Sequence, residues 1–132
     1  MKITVDTNVL LRVAVGDDET QQQVAIAMLE GADLVAISVH SLCEFAWVLH
    51  RGYKTPRAEI AASIRRLFDL PNVAVNRPAV EAGLRLFEAG GDFADGVIAY
   101  EGDWLGGETF VSFDKKAVSL IAQEGRQSRL LV

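Results

Sequence analysis

The chain has 132 residues, half of them apolar and 23% charged, with a formal net charge of −5. That length suits one ordinary domain, which buries roughly two-thirds of the surface its unfolded chain exposes. The acidic balance excludes a uniformly basic nucleic-acid-binding domain while leaving room for a local basic rim, and no segment reaches the roughly 18 uninterrupted apolar residues of a membrane span.

The chain begins without the basic start, apolar middle and small-residue cleavage site of a secretory signal, so a cytoplasmic location is expected. Ile3–Val5 suits a short buried strand, and Val9–Val15 and Glu19–Glu30 carry helical spacing. Leu34–Ser38 is the second candidate strand, followed by candidate helices at Val39–Arg51 and Arg57–Leu70. The only cysteine, Cys43, lies in the first of these and rules out an intrachain disulfide. A strand at Val73–Val75, helices at Ala79–Ala89 and Phe93–Leu105, a strand at Thr109–Ser112, a helix at Lys115–Glu124 and a strand at Arg129–Val132 complete the series. Pro56, Pro78, Gly31, Gly52 and Gly125 fall between elements as punctuation. No repeat or long linker interrupts them, so residues 1–132 are expected to form a single domain. Strands alternating with helices predict an α/β fold with a central, mostly parallel sheet flanked by helices. In such a fold, sites lie outside the carboxyl ends of the strands.

That rule points at four carboxylates. Asp6 directly follows the first strand and could be a helix cap or a functional group; Thr7 and Asn8 can cap the same helix, which would leave Asp6 free. Glu44 stands in VHSLCEFAWVLH, a segment apolar on nearly every face and therefore expected to be buried on most sides. A carboxylate there calls for a proton, a cation or a metal, and the ordinary alternative is an ion pair with Arg51 or another base. In GGDFADGVIAY, Asp92 is a natural N-cap and Asp95 lies in the first turn behind it. Asp114, in TFVSFDKKA, repeats the strand-to-helix position of Asp6, and capping is again the ordinary alternative. Two carboxylates about 4 Å apart repel by about 4 kcal/mol at an effective dielectric near 20, so a cluster of four needs protons or cations to coexist. Oxygen-only ligands favour Mg2+ or Mn2+ over zinc, and His40 and His50 are too few and too differently placed for a zinc site. The implied chemistry is metal-assisted attack of water on a phosphate ester.

With these residues in hand, the whole chain resembles a PIN-domain ribonuclease, and most of all the VapC toxins of toxin-antitoxin pairs. The segments that carry the likeness are DTNVLLR, SLCEF, DFADGVIA and VSFDKKA, in this order and spacing. The resemblance implies a PIN-like three-layer sandwich in which Asp6, Glu44, Asp95 and Asp114 match the acidic quartet that binds Mg2+. Thr7 or Asn8 would help to position Asp6 or a bound water, and Asp92 matches an often acidic neighbour. Gly96 stands where alanine is common and is expected to loosen its helix start, while Ser112 stands where threonine is common. The activity implied is a Mg2+-dependent endoribonuclease acting as a toxin, hydrolysing RNA phosphodiester bonds through a metal-activated water. Arg12, Lys115 and Lys116 are the candidates for RNA contacts, since they closely follow the acidic segments. Trp47 and Tyr53 are the candidates for contact with a VapB-like antitoxin, and a homodimer is implied as well, with Trp104 an exposed aromatic that could serve it. The alternative is a non-catalytic PIN-like binding module that occupies a regulatory partner and is indifferent to EDTA. A haloacid-dehalogenase-like phosphatase would need an aspartate where Asn8 stands, and a receiver domain would need a phosphorylatable aspartate where the chain reads NRP after the third strand.

Overall fold

The first apolar run forms β1 (Lys2–Thr4), and the next two form β2 (Leu34–Ala36) and β3 (Val73–Ala74). In this computed structural model, which describes residues 1–132, the three strands pair in parallel in the order β1-β2-β3. Ile3 lies opposite Val35, and Val35 opposite Val73, so Val35 occupies the centre of the sheet and is fully buried. Parallel pairing requires crossovers. Helices α1 (Thr7–Ala14) and α2 (Glu19–Gly31) supply the first, and α3 (Val39–Trp47) and α4 (Arg57–Asp69) the second. Together they form a unit, Met1–Asn76, with Leu10, Leu29, Phe45, Ile60 and Ile64 in its core. The Asn72 side-chain amide donates to the carbonyls of Leu29 and Ala32 at 2.8 and 2.9 Å, satisfying acceptors that the end of α2 leaves open.

The sequence predicts one α-helix from Val39 to Arg51, but the α-geometry ends at Trp47 and a π-helical turn follows over Val48–Gly52. Its wider loop closes when the Tyr53 N–H donates to the Val48 carbonyl at 3.1 Å, a spacing of five residues. The chain then turns at Lys54, which takes up a left-handed backbone conformation at φ 55°.

Residues Arg77–Val132 form a second unit. It contains α5 (Arg77–Glu88), α6 (Phe93–Trp104), β4 (Thr109–Ser112), α7 (Lys115–Gln123) and β5 (Gln127–Leu130). β4 and β5 are parallel, with Phe110 opposite Ser128 and α7 as the crossover. The fold is thus α/β with parallel strands and seven α-helices, as the alternating pattern predicts, and its ladders divide into a three-stranded and a two-stranded sheet. β5 starts at Gln127 rather than Arg129, because it alternates exposed and partly covered side chains instead of burying a continuous apolar run. No helix is long and apolar enough to cross a membrane.

In this second unit, α5 and α6 pack on each other more extensively than any other pair of elements in the chain. Gly83 and Gly96 make that approach possible. A Cβ at Gly96 would stand 2.5 Å from the Ala82 carbonyl oxygen and 2.8 Å from the Gly83 Cα, and one at Gly83 would stand 2.7 Å from the Phe93 ring. Gly96 therefore does not loosen the start of α6 as expected; it lets the backbone of α6 reach the backbone of α5. Gly102, in the same helix, meets nothing within 4 Å. The pair predicts opposite signs under urea denaturation. Gly96→Ala should destabilise by about 1–3 kcal/mol through overpacking, whereas Gly102→Ala should be neutral or stabilising by up to about 1 kcal/mol through helix propensity.

Candidate active site

The aspartate just beyond β1, two residues past Thr4, is the cap of α1. Asp6 has the extended backbone a cap requires, φ −90° and ψ 175°, and its Oδ1 accepts from the Val9 N–H at 3.1 Å. This corrects the expectation that Thr7 or Asn8 caps the helix and frees Asp6: both already lie inside the first helical turn. Asp6 also lines an open groove of about 770 Å³ beside β1, α1 and α2, together with Asn8, Arg12, Val24 and Met28. Thr7 does not attend to Asp6. Its Oγ1 donates to Glu44 Oε2 at 3.3 Å, linking the start of α1 to α3.

Glu44 itself is 56% exposed, which corrects the expectation of burial on most sides. α3 turns Leu42, Phe45 and Ala46 into the core, and the large apolar side chain that made the segment look apolar all round, Trp47, stands outside at 59% exposure. The basic neighbour of Glu44 is the other base that the alternative allowed, not Arg51. His40, one turn earlier on α3, places Nε2 3.3 Å from Glu44 Oε1. Sequence reasoning missed this role for His40, although the four-residue spacing was there to signal it.

In the second unit, Asp92 caps α6 by accepting from the Ala94 N–H at 3.0 Å, as expected. Asp114 caps α7 by accepting from the Ala117 N–H at 3.1 Å, and its own N–H donates to Ser112 Oγ at 2.9 Å. Asp95 lies in the first turn of α6 and is partly buried. Burial, followed by the negative charges of Asp92 and Asp114, pushes its carboxyl above the ordinary value of 3.8. These three aspartates therefore form one electrostatic set. Within neither unit do three or more acidic, histidine or cysteine side chains stand close enough together to hold a metal on their own. The donors are nonetheless of the right kind: carboxylate oxygens suit a hard divalent cation, and Asp92 and Asp114 raise the carboxyl of Asp95 by repulsion that such a cation would relieve.

Around these groups, Arg12 Nη1 pairs with Asp17 Oδ1 at 3.1 Å, and the Tyr53 hydroxyl donates to Asp17 Oδ2 at 3.3 Å. Arg12 and Tyr53, expected to serve RNA and a protein partner separately, thus meet on a single carboxylate. Lys115 and Lys116 are exposed in the first turn of α7, and Tyr53 is 43% exposed.

The raised Asp95 carboxyl has a consequence for stability. Its folded pKa lies above the unfolded one, so the metal-free fold favours the protonated form. The stability it contributes is full below the unfolded value of 3.8 and is lost as pH rises through the folded value. Urea denaturation in EDTA between about pH 3 and about pH 8 should show wild type losing stability relative to Asp95→Asn as pH rises. A pH-independent difference would remove the electrostatic account of this residue.

Comparison with known families matches residues 3–119 to the PIN domain. Among curated proteins, nothing matches the chain. The matched stretch contains Asp6, Glu44, Asp92, Asp95 and Asp114 and runs through both units. PIN domains are generally nucleases that use divalent metal ions, so a nuclease-type hydrolytic function directed at nucleic acid follows at that level. The chain belongs to the PIN domain family.

Proposed function

We propose that the chain is a Mg2+-dependent endoribonuclease and the toxin of a VapBC-type toxin-antitoxin pair, working in the cytoplasm as a single PIN-like domain over residues 1–132. The observation that carries the reading is Asp95, a partly buried carboxylate at a helix start, destabilised as an anion by burial and by two neighbouring aspartates. Asp6, Glu44, Asp95 and Asp114 would hold Mg2+, with Mn2+ able to replace it and Asp92 in support. When bound, the cation lowers the pKa of a water and offsets charge developing on the phosphoryl oxygens. The chain's own residues do the rest. Asp6 and Asp114 each commit one oxygen to a helix start and keep the other for the site. Thr7 fixes Glu44 by its hydrogen bond, and Asn8 opens onto the groove that Asp6 lines. Lys115 and Lys116 are available to RNA phosphates, and Arg12 would reach them by exchanging Asp17 for a phosphate oxygen.

An exposed Trp47 on α3, three residues beyond the exposed Glu44, supports docking of an amphipathic helix with a basic end from a VapB-like antitoxin. Tyr53 lies further along the same surface segment, and Trp104, 77% exposed, supports a homodimer contact.

RNA cut by this chemistry should carry 5'-phosphate and 3'-hydroxyl ends, and cleavage should stop in EDTA. Cyclic 2',3'-phosphate ends, or full activity in EDTA, would exclude it, and metal-indifferent binding to a partner would favour a non-catalytic binding module instead. Asp6→Asn and Asp95→Asn should lower cleavage by more than about 100-fold, above what losing even an outer partner of a metal ligand costs. Both should still fold, since asparagine retains the capping ability that Asp6 uses. Mg2+ at a hundred times its dissociation constant should stabilise the wild type by about 2.7 kcal/mol. Co-expression with the product of a neighbouring short gene should yield a complex in which cleavage is suppressed, and Trp47→Ala should weaken it. Unimpeded cleavage in that complex would defeat the antitoxin reading alone.

A further inference from the structure

Arg12 lines the groove beside β1 together with Asp6 and Asn8, yet its guanidinium is held by a carboxylate from the turn that joins α1 to α2. Nη1 donates to Asp17 Oδ1 at 3.1 Å, and the Tyr53 hydroxyl donates to the other oxygen of the same carboxylate at 3.3 Å. Asp17 is therefore engaged from two directions, by the last turn of α1 and by the residue that follows the π-helical turn. The turn that presents it is pinned as well. Asp18 caps α2 by accepting from the Gln21 N–H at 3.0 Å, and the Gln22 side-chain amide donates to the Val13 carbonyl at 3.1 Å. Because Asp18 serves as the cap, helix capping does not explain Asp17. Both members of the Arg12–Asp17 pair are partly exposed, so an incoming anion can reach the guanidinium and take the place of the carboxylate.

We propose that Asp17 is a latch on Arg12: held by Tyr53, it occupies the guanidinium that would otherwise take an RNA phosphate, and so lowers the affinity of the groove for RNA. The inference rests on the reading of the chain as a ribonuclease, and it needs no metal. Binding becomes an exchange, in which a phosphate oxygen replaces Asp17 Oδ1 and the released carboxylate stays with Tyr53. An exposed pair of this kind is weak, which suits a contact that a ligand has to open. It is screened by salt and it competes with a phosphate, so its effect fades as ionic strength rises and is the same for every RNA sequence. An ordinary surface pair that only braced the α1–α2 turn would leave RNA affinity unchanged.

Fluorescence anisotropy of a short fluorescein-labelled single-stranded RNA, titrated with the full chain in EDTA at low and high KCl, tests this on wild type, Asp17→Asn, Tyr53→Phe, Arg12→Ala and the Asp17→Asn/Arg12→Ala double variant. Asp17→Asn should bind RNA about two- to fivefold more tightly than wild type at low salt, the range that exposed ion pairs span, and the gain should shrink at high salt. Tyr53→Phe loosens the latch without altering any charge, and should shift affinity in the same direction. In the Arg12→Ala background, Asp17→Asn should leave affinity nearly unchanged. A gain that persists undiminished in that background means that Asp17 merely repels RNA, and overturns the inference. Wild-type affinity in both Asp17→Asn and Tyr53→Phe overturns it too. If Arg12→Ala binds RNA like wild type, RNA binding stands and the latch falls. If neither wild type nor Asp17→Asn binds RNA, the latch is overturned, and cleavage with end mapping in Mg2+ decides the ribonuclease reading separately.

Discussion

A carboxylate at the start of a helix has two oxygens, and the helix takes only one. Asp6, Asp92 and Asp114 each accept at Oδ1 from a backbone N–H two or three residues onward, satisfying donors that the first turn would otherwise leave open. Each such cap is worth about 1 kcal/mol to its helix. The second oxygen has no duty to the backbone. Capping therefore leaves room for ligation at one residue, and a structural role for Asp6 does not by itself exclude a chemical one. The two roles also separate experimentally, because asparagine keeps the cap and discards the charge.

In the second unit the same economy produces strain. The positive end of the α6 dipole favours a negative Asp95. Burial and the charges of Asp92 and Asp114 oppose it, and the raised carboxyl shows which side prevails. Gly96, the next residue, lets the α6 backbone pack against Ala82 and Gly83. Glu44 is under a different regime: it is largely solvated, accepts from Thr7 Oγ1 and has His40 Nε2 3.3 Å from its other oxygen.

How much of this was legible in the sequence follows from how local each signal is. Alternation of short apolar runs with helical periods placed the strands and helices, and the cap roles could be read locally, that of Asp92 from the Gly-Gly turn before its helix and that of Asp114 from its strand-to-helix position. Asp6 was harder, because Thr7 and Asn8 are also capable caps and only the backbone at Asp6 decides between them. Glu44 was misjudged because hydrophobicity does not reveal which apolar residue faces solvent, and Trp47 does. Gly96 was misjudged for a related reason: its partner is the carbonyl of Ala82 on another helix, and no local pattern reports a contact of that kind. The π-helical turn after Trp47 is equally a matter of backbone hydrogen bonding, with nothing in VLHRG to separate it from a continuing α-helix.

The net charge of −5 leaves open how an acidic chain would meet RNA, and the placement of its cations bears on that. Arg12 is engaged by Asp17, so its charge is partly offset at rest. Lys115 and Lys116 are different. They occupy the first turn of α7, immediately after its cap, where the helix dipole disfavours positive charge and where acidic residues would serve the helix better. Helix stability does not explain two lysines there. Attraction to the adjacent Asp114 offsets part of the penalty, but exposed pairs of this kind contribute little. Within the nuclease reading the arrangement has a reason: the same helix start carries an acid for the cation and two bases for the phosphate chain. Under that reading, attraction for RNA would lie at the edge of the acidic site, beside Asp114.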